Sequence, residues 1–495
     1  MNAKLAAIAG AAAMALAAAA ACSLSLDPPL EAAPSPGADA GDGAAAPADG
    51  GGDAGASDGG PIKCTSDLQC RSDNACVASR CDLTTGRCVF DLCPHDAGAC
   101  VVDRCDLETN SCIDRFDLST EPVVKTFKIP TSKPFAQLRC GSASRCVALS
   151  HPYLFASIDD AVLAYGIADP HPLTPPRVLA VDGLRSGSKP VRPTAVVASG
   201  TRVYFVGEIQ PDLSLPVGWV DVPPDPFATS ISARTFVLPS VLGGTLSALP
   251  APGGDLVLVV NAGANRQTYR VSVGSGIVGA PRNGSGNARS VAVSGARVVL
   301  ADVVRDALVV SLEPIPPSTG AVIDAGSVVG DGGAAILPAQ SYATGDDGQV
   351  LLATAVGDDA GAQRVRLARL FTRGSDTKIQ GDPPIDLVSY PSPPILARVV
   401  GPAVWVSSDL AVVAALVPDD TSQTALAASV VHVDAEGALT VDPPRWTLDP
   451  LAAGPDGGAS ATPTASTLLS AQGLAYWVWQ RGVDTTVSVL APRCN

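Results

Sequence analysis

Apolar positions fall into four regimes along this chain. Over Met1–Ala21 they run almost unbroken from Leu5 to Ala17, after one early cation at Lys4, and give way to small residues before Cys22. That run is too short and too weak for a membrane span and has the form of a cleaved export signal. From Ser23 to Pro61 there is no period, only Ala, Gly, Asp, Pro and Ser. Such a segment cannot bury enough surface to offset chain entropy, so 22–61 is predicted to be a disordered acidic tether. Across 62–118 cysteines stand where apolar core positions would be. From Ser119 to the end, short Val- and Leu-rich runs alternate with Gly, Pro and Asp, which predicts strands and turns. Beyond the signal no stretch keeps a 3.6-residue period, which argues against a helical enzyme fold.

Within 119–495 a strand–turn–strand unit recurs. Its clearest copies are Ala195–Val206 (A-V-V-A-S-G-T-R-V-Y-F-V) and Ser290–Ala301 (S-V-A-V-S-G-A-R-V-V-L-A). Weaker ones are Leu246–Val260, Tyr342–Val356, Ala397–Ser408 and Leu468–Gln480, with a degenerate first copy at Cys146–Ile158. Turns are expected near His151, Gly200, Gly254, Gly295, Gly348, Gly401 and Gly473. Most copies are followed by a further strand, such as Tyr269–Val273, Ala307–Leu312, Arg364–Leu370 and Thr485–Leu490. The spacing, roughly 40–55 residues, is that of propeller blades rather than single hairpins. The expected fold class is therefore all-β, and the run resembles a β-propeller of about seven blades with degenerate repeats. The alternatives are a string of β-sandwich modules, or an insertion or eighth blade hidden in Asp449–Thr464.

The cysteines carry a second repeat. Cys76, Cys81 and Cys88 reappear as Cys100, Cys105 and Cys112 at an offset of 24, and R-C-D-L-T-T-G-R-C (Arg80–Cys88) matches R-C-D-L-E-T-N-S-C (Arg104–Cys112). Cys64, Cys70 and Cys93 bring the array to nine. No C-x-x-C pair occurs, which argues against zinc ribbons and redox motifs, and His95 reads as a loop residue. Of thirteen cysteines, setting Cys22 aside leaves an even twelve, as a disulfide framework in an oxidising compartment needs. Cys140 and Cys146 are close enough to bond each other, leaving Cys494 for the ninth; alternatively Cys494 bonds Cys140 or Cys146 and latches the last strand to the first. The array resembles the cysteine-rich repeats of bacterial secreted and surface lipoproteins, in which bridges stand in for a core. The run of alanines ending at Cys22 likewise resembles a bacterial lipoprotein signal, although Ala19 stands where Leu is usual. That resemblance implies lipidation of Cys22 and removal of 1–21. Ser23, rather than Asp, resembles the sorting pattern for an outer-membrane destination.

Composition narrows the function classes. A net charge of -15 leaves nothing to neutralise a row of phosphates, so no nucleic-acid partner is expected, and membrane attachment would rest on acyl chains at Cys22. Aromatics at 4% and charged residues at 16% are low, while Gly 48 and Pro 43 favour turns.

Candidate chemistry is sparse. G-S-G-I-V-G at Gly274–Gly279 follows a strand, but Pro281, Asn283 and Gly284 forbid the helix that a nucleotide fingerprint needs, so it reads as a turn. G-x-S-x-G at Gly55–Gly59 lies in the tether, without the flanking strand and helix of a nucleophile elbow. The tether aspartates Asp39, Asp42, Asp49, Asp53 and Asp58 lack the closing Glu of a calcium loop. The pairs Asp159–Asp160, Asp346–Asp347, Asp358–Asp359 and Asp419–Asp420 read as hairpin turns. His95, His151, His171 and His432 are scattered, which gives no support to a hydrolytic triad. Trp477 and Trp479 share a strand face, and with Tyr204, Trp219 and Trp405 they either stack a ligand or, the favoured reading, fill the space between blades. No catalytic, cofactor-binding or metal residue is assigned. The expected protein is an exported lipoprotein with a non-catalytic binding or structural module, its ligand an extracellular protein or polysaccharide. The alternative is an extracellular polysaccharide hydrolase or lyase with its site at the mouth of the propeller.

Overall fold

Strand, tight turn, strand: seven times from Val147 onward an apolar strand reverses through a short turn and pairs antiparallel with its successor. The computed structural model describes residues 64–70, 77–92 except 85, 101–106, 111–117, 123–129 and most of 147–493. Gaps in the last range include 159–160, 168–177, 358–362, 391–399, 419–423 and 448–464.

Each unit grows into a separate sheet, and the seven sheets are the blades of a β-propeller. Blade 1 holds Val147–Ser150, Tyr153–Ile158, Ala161–Gly166 and Val178–Asp182; blade 2 holds Pro193–Ser199, Arg202–Gly207, Leu215–Asp221 and Arg234–Leu238. Blade 3 runs Thr245–Ala251, Asp255–Ala262 and Asn265–Ser272, with its outer edge shared by Ile277–Val278 and Arg282–Ser285. Blade 4 is Arg289–Ser294, Arg297–Val304, Ala307–Pro314 and Ile323–Val329. Blade 5 is Ile336–Thr344, Val350–Gly357, Gln363–Arg373 and Asp376–Tyr390. Blade 6 is Val400–Ser407, Leu410–Pro418 and Thr424–Val433, edged by Leu439–Val441 and Trp446–Thr447. Blade 7 takes Ala465–Ala471, Leu474–Arg481 and Asp484–Leu490 from the end of the chain, and Val123–Ile129 from before blade 1 as its outer strand. The first strands of successive blades touch all round, Ala465–Ala471 meeting Val147–Ser150, so the ring is closed. Closure leaves each sheet flanked by two others.

The core follows from that arrangement. Seven apolar clusters each join two neighbouring blades. Alternate side chains of a strand point to opposite faces, so a central strand feeds two clusters. In Arg202–Gly207, Val203 and Phe205 pack towards blade 1 while Tyr204 and Val206 pack towards blade 3. In Leu474–Arg481, Tyr476 and Val478 pack towards blade 1, and Ala475 and Trp477 towards blade 6. With both faces buried, these strands read as continuous apolar runs rather than as an alternation.

Two observations revise the expected strand limits. Gly401 sits within Val400–Ser407, and its neighbour Pro402 falls at a register shift between Val400 and Ala403; the reversal comes at Ser408–Asp409. Gly-Pro here makes a bulge rather than a turn. Also unforeseen is Ile231–Ser232, which runs parallel to Val178–Asp182 and ties the third-to-fourth connection of blade 2 to the edge of blade 1. Gly183 permits this approach: it has φ +83, and a Cβ there would stand 2.7 Å from the Ala233 carbonyl oxygen.

Ahead of the propeller the cysteine repeat folds as two hairpins. Val77–Asp82 pairs with Arg87–Leu92, and Val101–Asp106 with Ser111–Asp117, so Cys81 faces Cys88 across one hairpin as Cys105 faces Cys112 across the other. Disulfides join Cys64 to Cys81 and Cys70 to Cys88. The Asp67 carboxylate accepts the Cys81 N–H at 2.7 Å. All four bonded cysteines are buried and form their own small cluster.

Candidate functional site

Strand direction sorts the connections of the ring onto two faces. First-to-second turns and the ends of third strands share one face; second-to-third connections lie on the other. On the turn face neighbouring blades are bonded to each other. The Ser150 hydroxyl donates to the Gly200 carbonyl at 3.2 Å, and the Ser199 hydroxyl to the Ala251 carbonyl at 2.8 Å. The Tyr204 hydroxyl donates to the Gly254 carbonyl, the Gln349 amide to the Ser408 carbonyl at 3.4 Å, and the Gln472 amide lies 3.2 Å from His151 Nδ1. Serine recurs here because a short hydroxyl at the end of a first strand reaches the next turn without leaving the strand. Burial pushes the Tyr204 hydroxyl up to about 12, so it stays a donor.

The chain also joins and leaves the ring on this face. Val123 stands opposite Leu490, at the end of a third strand, and Arg493 Nη2 bonds Asp409 Oδ1 at 3.0 Å in the first turn of blade 6. In the same blade, where Leu410 stands opposite His432, Asp442 Oδ2 takes His432 Nε2 at 3.1 Å and Arg445 Nη2 at 2.8 Å, all three partly exposed. The Ser407 hydroxyl, at 2.7 Å, holds the Asp409 carboxyl below its usual range, with Arg493 adding to the effect against a smaller opposing influence of burial. A His–Asp–Arg group of this kind can bind polar partners, but no hydroxyl or thiol nucleophile is bonded to it among the described residues.

Other ion pairs act within the scaffold. Arg266 and Glu313 pair between blades 3 and 4, both buried, with the Thr268 hydroxyl donating to the same carboxylate. Arg364 and Arg366 both meet Asp386 in blade 5, and Arg202 meets Asp221 in blade 2.

The residues singled out in the sequence are dispersed by the fold. Trp477, Trp405 and Tyr204 are buried in three different inter-blade clusters, with Trp479 and Trp219 packed partly buried against two of them. They fill space between blades and make no common platform. His432 lies half-exposed on the third strand of blade 6, as expected of a blade surface. Ile277–Val278 pairs antiparallel with Val271–Ser272, while Gly274–Gly276 of the glycine fingerprint lie outside the described residues. The sulfurs of Cys64, Cys70 and Cys81 lie within 4.8 Å of one another because two bridges are adjacent, which leaves no thiolate for a metal. Cys22, the tether motifs, His95, His171 and the four aspartate pairs fall outside the described residues, as do Cys76, Cys93, Cys100, Cys140, Cys146 and Cys494; for Cys105 and Cys112 the backbone alone is described. In chain order three of the aspartate pairs join second to third strands, in blades 1, 5 and 6, while Asp346–Asp347 joins first to second in blade 5.

No family model and no curated protein matches the chain. Among solved structures it is similar to the polysaccharide lyase Uly1, with a TM-score of 0.41 and 7% identity over 75% of this chain and 100% of that one. It is also similar to the Dos1 propeller, with a TM-score of 0.38 and 10% identity over 74% and 96% of the two chains. A third similarity is to a structure from a mechanistic analysis of two prolyl endopeptidases, with a TM-score of 0.37 and 14% identity over 70% of this chain and 46% of that one.

Proposed function

We propose that the chain is exported, loses 1–21, is anchored through acyl chains on Cys22 at the outer membrane or cell surface, and works there as a non-catalytic binding module. In this reading 22–61 is a tether, 62–118 a disulfide-stapled spacer, and the propeller presents its second-to-third connections to an extracellular protein or polysaccharide. One observation carries the reading: the chain joins and leaves the ring on the turn face. The second-to-third connections lie on the opposite face. Its connections range from Gly263–Ala264 to E-I-Q-P-D-L-S at 208–214 on a rigid ring, the usual setting for recognition loops.

The anchor is tested by intact mass of protein extracted from membranes. A start at Cys22 with added acyl mass is expected; an unmodified chain overturns it. The module is tested by electrophoresis through gels containing cell-envelope polysaccharide, with reducing ends assayed in parallel, and by titration with extracted envelope protein. Retardation or saturable protein binding without new reducing ends is expected. New reducing ends, or newly formed unsaturated products, would make the propeller an enzyme instead.

A further inference from the structure

We infer that Cys76 and Cys93 form a third disulfide that completes an interleaved six-cysteine knot from Cys64 to Cys93. The first hairpin is in register to its open end, where Val77 faces Leu92. Cys76 directly precedes Val77 and Cys93 directly follows Leu92, so one more step of the same ladder would set them opposite each other. Directly opposed residues of an antiparallel pair have Cα atoms about 4.5–5.5 Å apart, inside the range a disulfide spans.

Their neighbours are already taken. Cys64, Cys70, Cys81 and Cys88 are bonded among themselves. Cys76 and Cys81 are an odd number of residues apart, as are Cys88 and Cys93, so the pleat sends the new pair to the face opposite the two existing bridges. The bridges then follow one rule, each cysteine joining the third one after it. The sequence separations of the first two are 17 and 18, and Cys76 to Cys93 is again 17. In the second copy of the repeat the ladder ends with Val101 opposite Asp117, and the residue after Asp117 is Leu118 rather than a cysteine.

Bond formation removes two protons and two electrons from the two thiols. The electrons pass to the disulfide of a thiol–disulfide oxidoreductase, which leaves as a dithiol.

The test is peptide mapping of the full chain, alkylated and digested without reduction. Trypsin isolates 72–80 with Cys76 alone, and a second protease cutting before Asp96 separates Cys93 from Cys100. The second protease also cuts before Asp73 and Asp91, so the expected product links 73–80 to 91–95. Linkage to the fragment that carries Cys100, or alkylation of Cys76 as a free thiol, overturns the inference.

Discussion

A single tyrosine hydroxyl distinguishes packing from bonding in this ring. Tyr165 and Tyr204 are both fully buried, and burial raises both to about 12. Tyr204 donates to the Gly254 carbonyl, whereas the Tyr165 hydroxyl has no hydrogen-bond partner among the described residues. Tyr204→Phe should therefore cost about 1 kcal/mol in urea denaturation, while Tyr165→Phe should be neutral or stabilising. Because the folded values lie above the unfolded one of about 10, the tyrosines' contribution is complete below that pH and is lost as pH rises towards about 12. Unfolding midpoints measured across that window should fall, and less steeply in the Tyr165→Phe variant. Trp477, fully buried between blades 6 and 7, belongs to a costlier class: Trp477→Ala should lose about 3–5 kcal/mol. At Asp409 the sign reverses. Its lowered carboxyl adds stability that is present above the usual carboxylate range and lost as pH falls through the lowered value. Ser407→Ala should move the Asp409 titration up, as read by NMR.

Between elements, the serine bridges of the turn face bind one blade to the next. Ser199→Ala strands the buried Ala251 carbonyl and should cost about 1–3 kcal/mol, with the loss read by chemical denaturation. The unit behind these turns was legible in sequence because A-S-G-T and V-S-G-A each set a small polar reversal between two runs buried on both faces. Blade 6 was misread for a physical reason: Gly401-Pro402 carries the composition of a turn, yet the strand absorbs it as a bulge and reverses at Ser408–Asp409. The pairing of Val123–Ile129 with Asp484–Leu490 left no signal, since an edge strand shows only its own pattern and not which distant edge it completes. The His432–Asp442–Arg445 group was illegible for the same reason, because a hairpin register that joins separate stretches is not written in either of them.

For the whole molecule, the decisive feature is where the ring is sealed. A chain beginning at residue 119 keeps Val123–Ile129 and should fold as a stable propeller. One beginning at 131 leaves the edge of Asp484–Leu490 unpaired and should associate or unfold at lower temperature. Size-exclusion chromatography and thermal melting of the two forms separate these outcomes. The seal also fixes an order of events in biosynthesis. Ribosomes make Val123–Ile129 before any blade and Asp484–Leu490 after the strands of blades 1 to 6, so blade 7 stays open until Asp484–Leu490 has been made. Throughout that interval the nascent ring carries two bare β-edges, each a template for a neighbouring nascent chain.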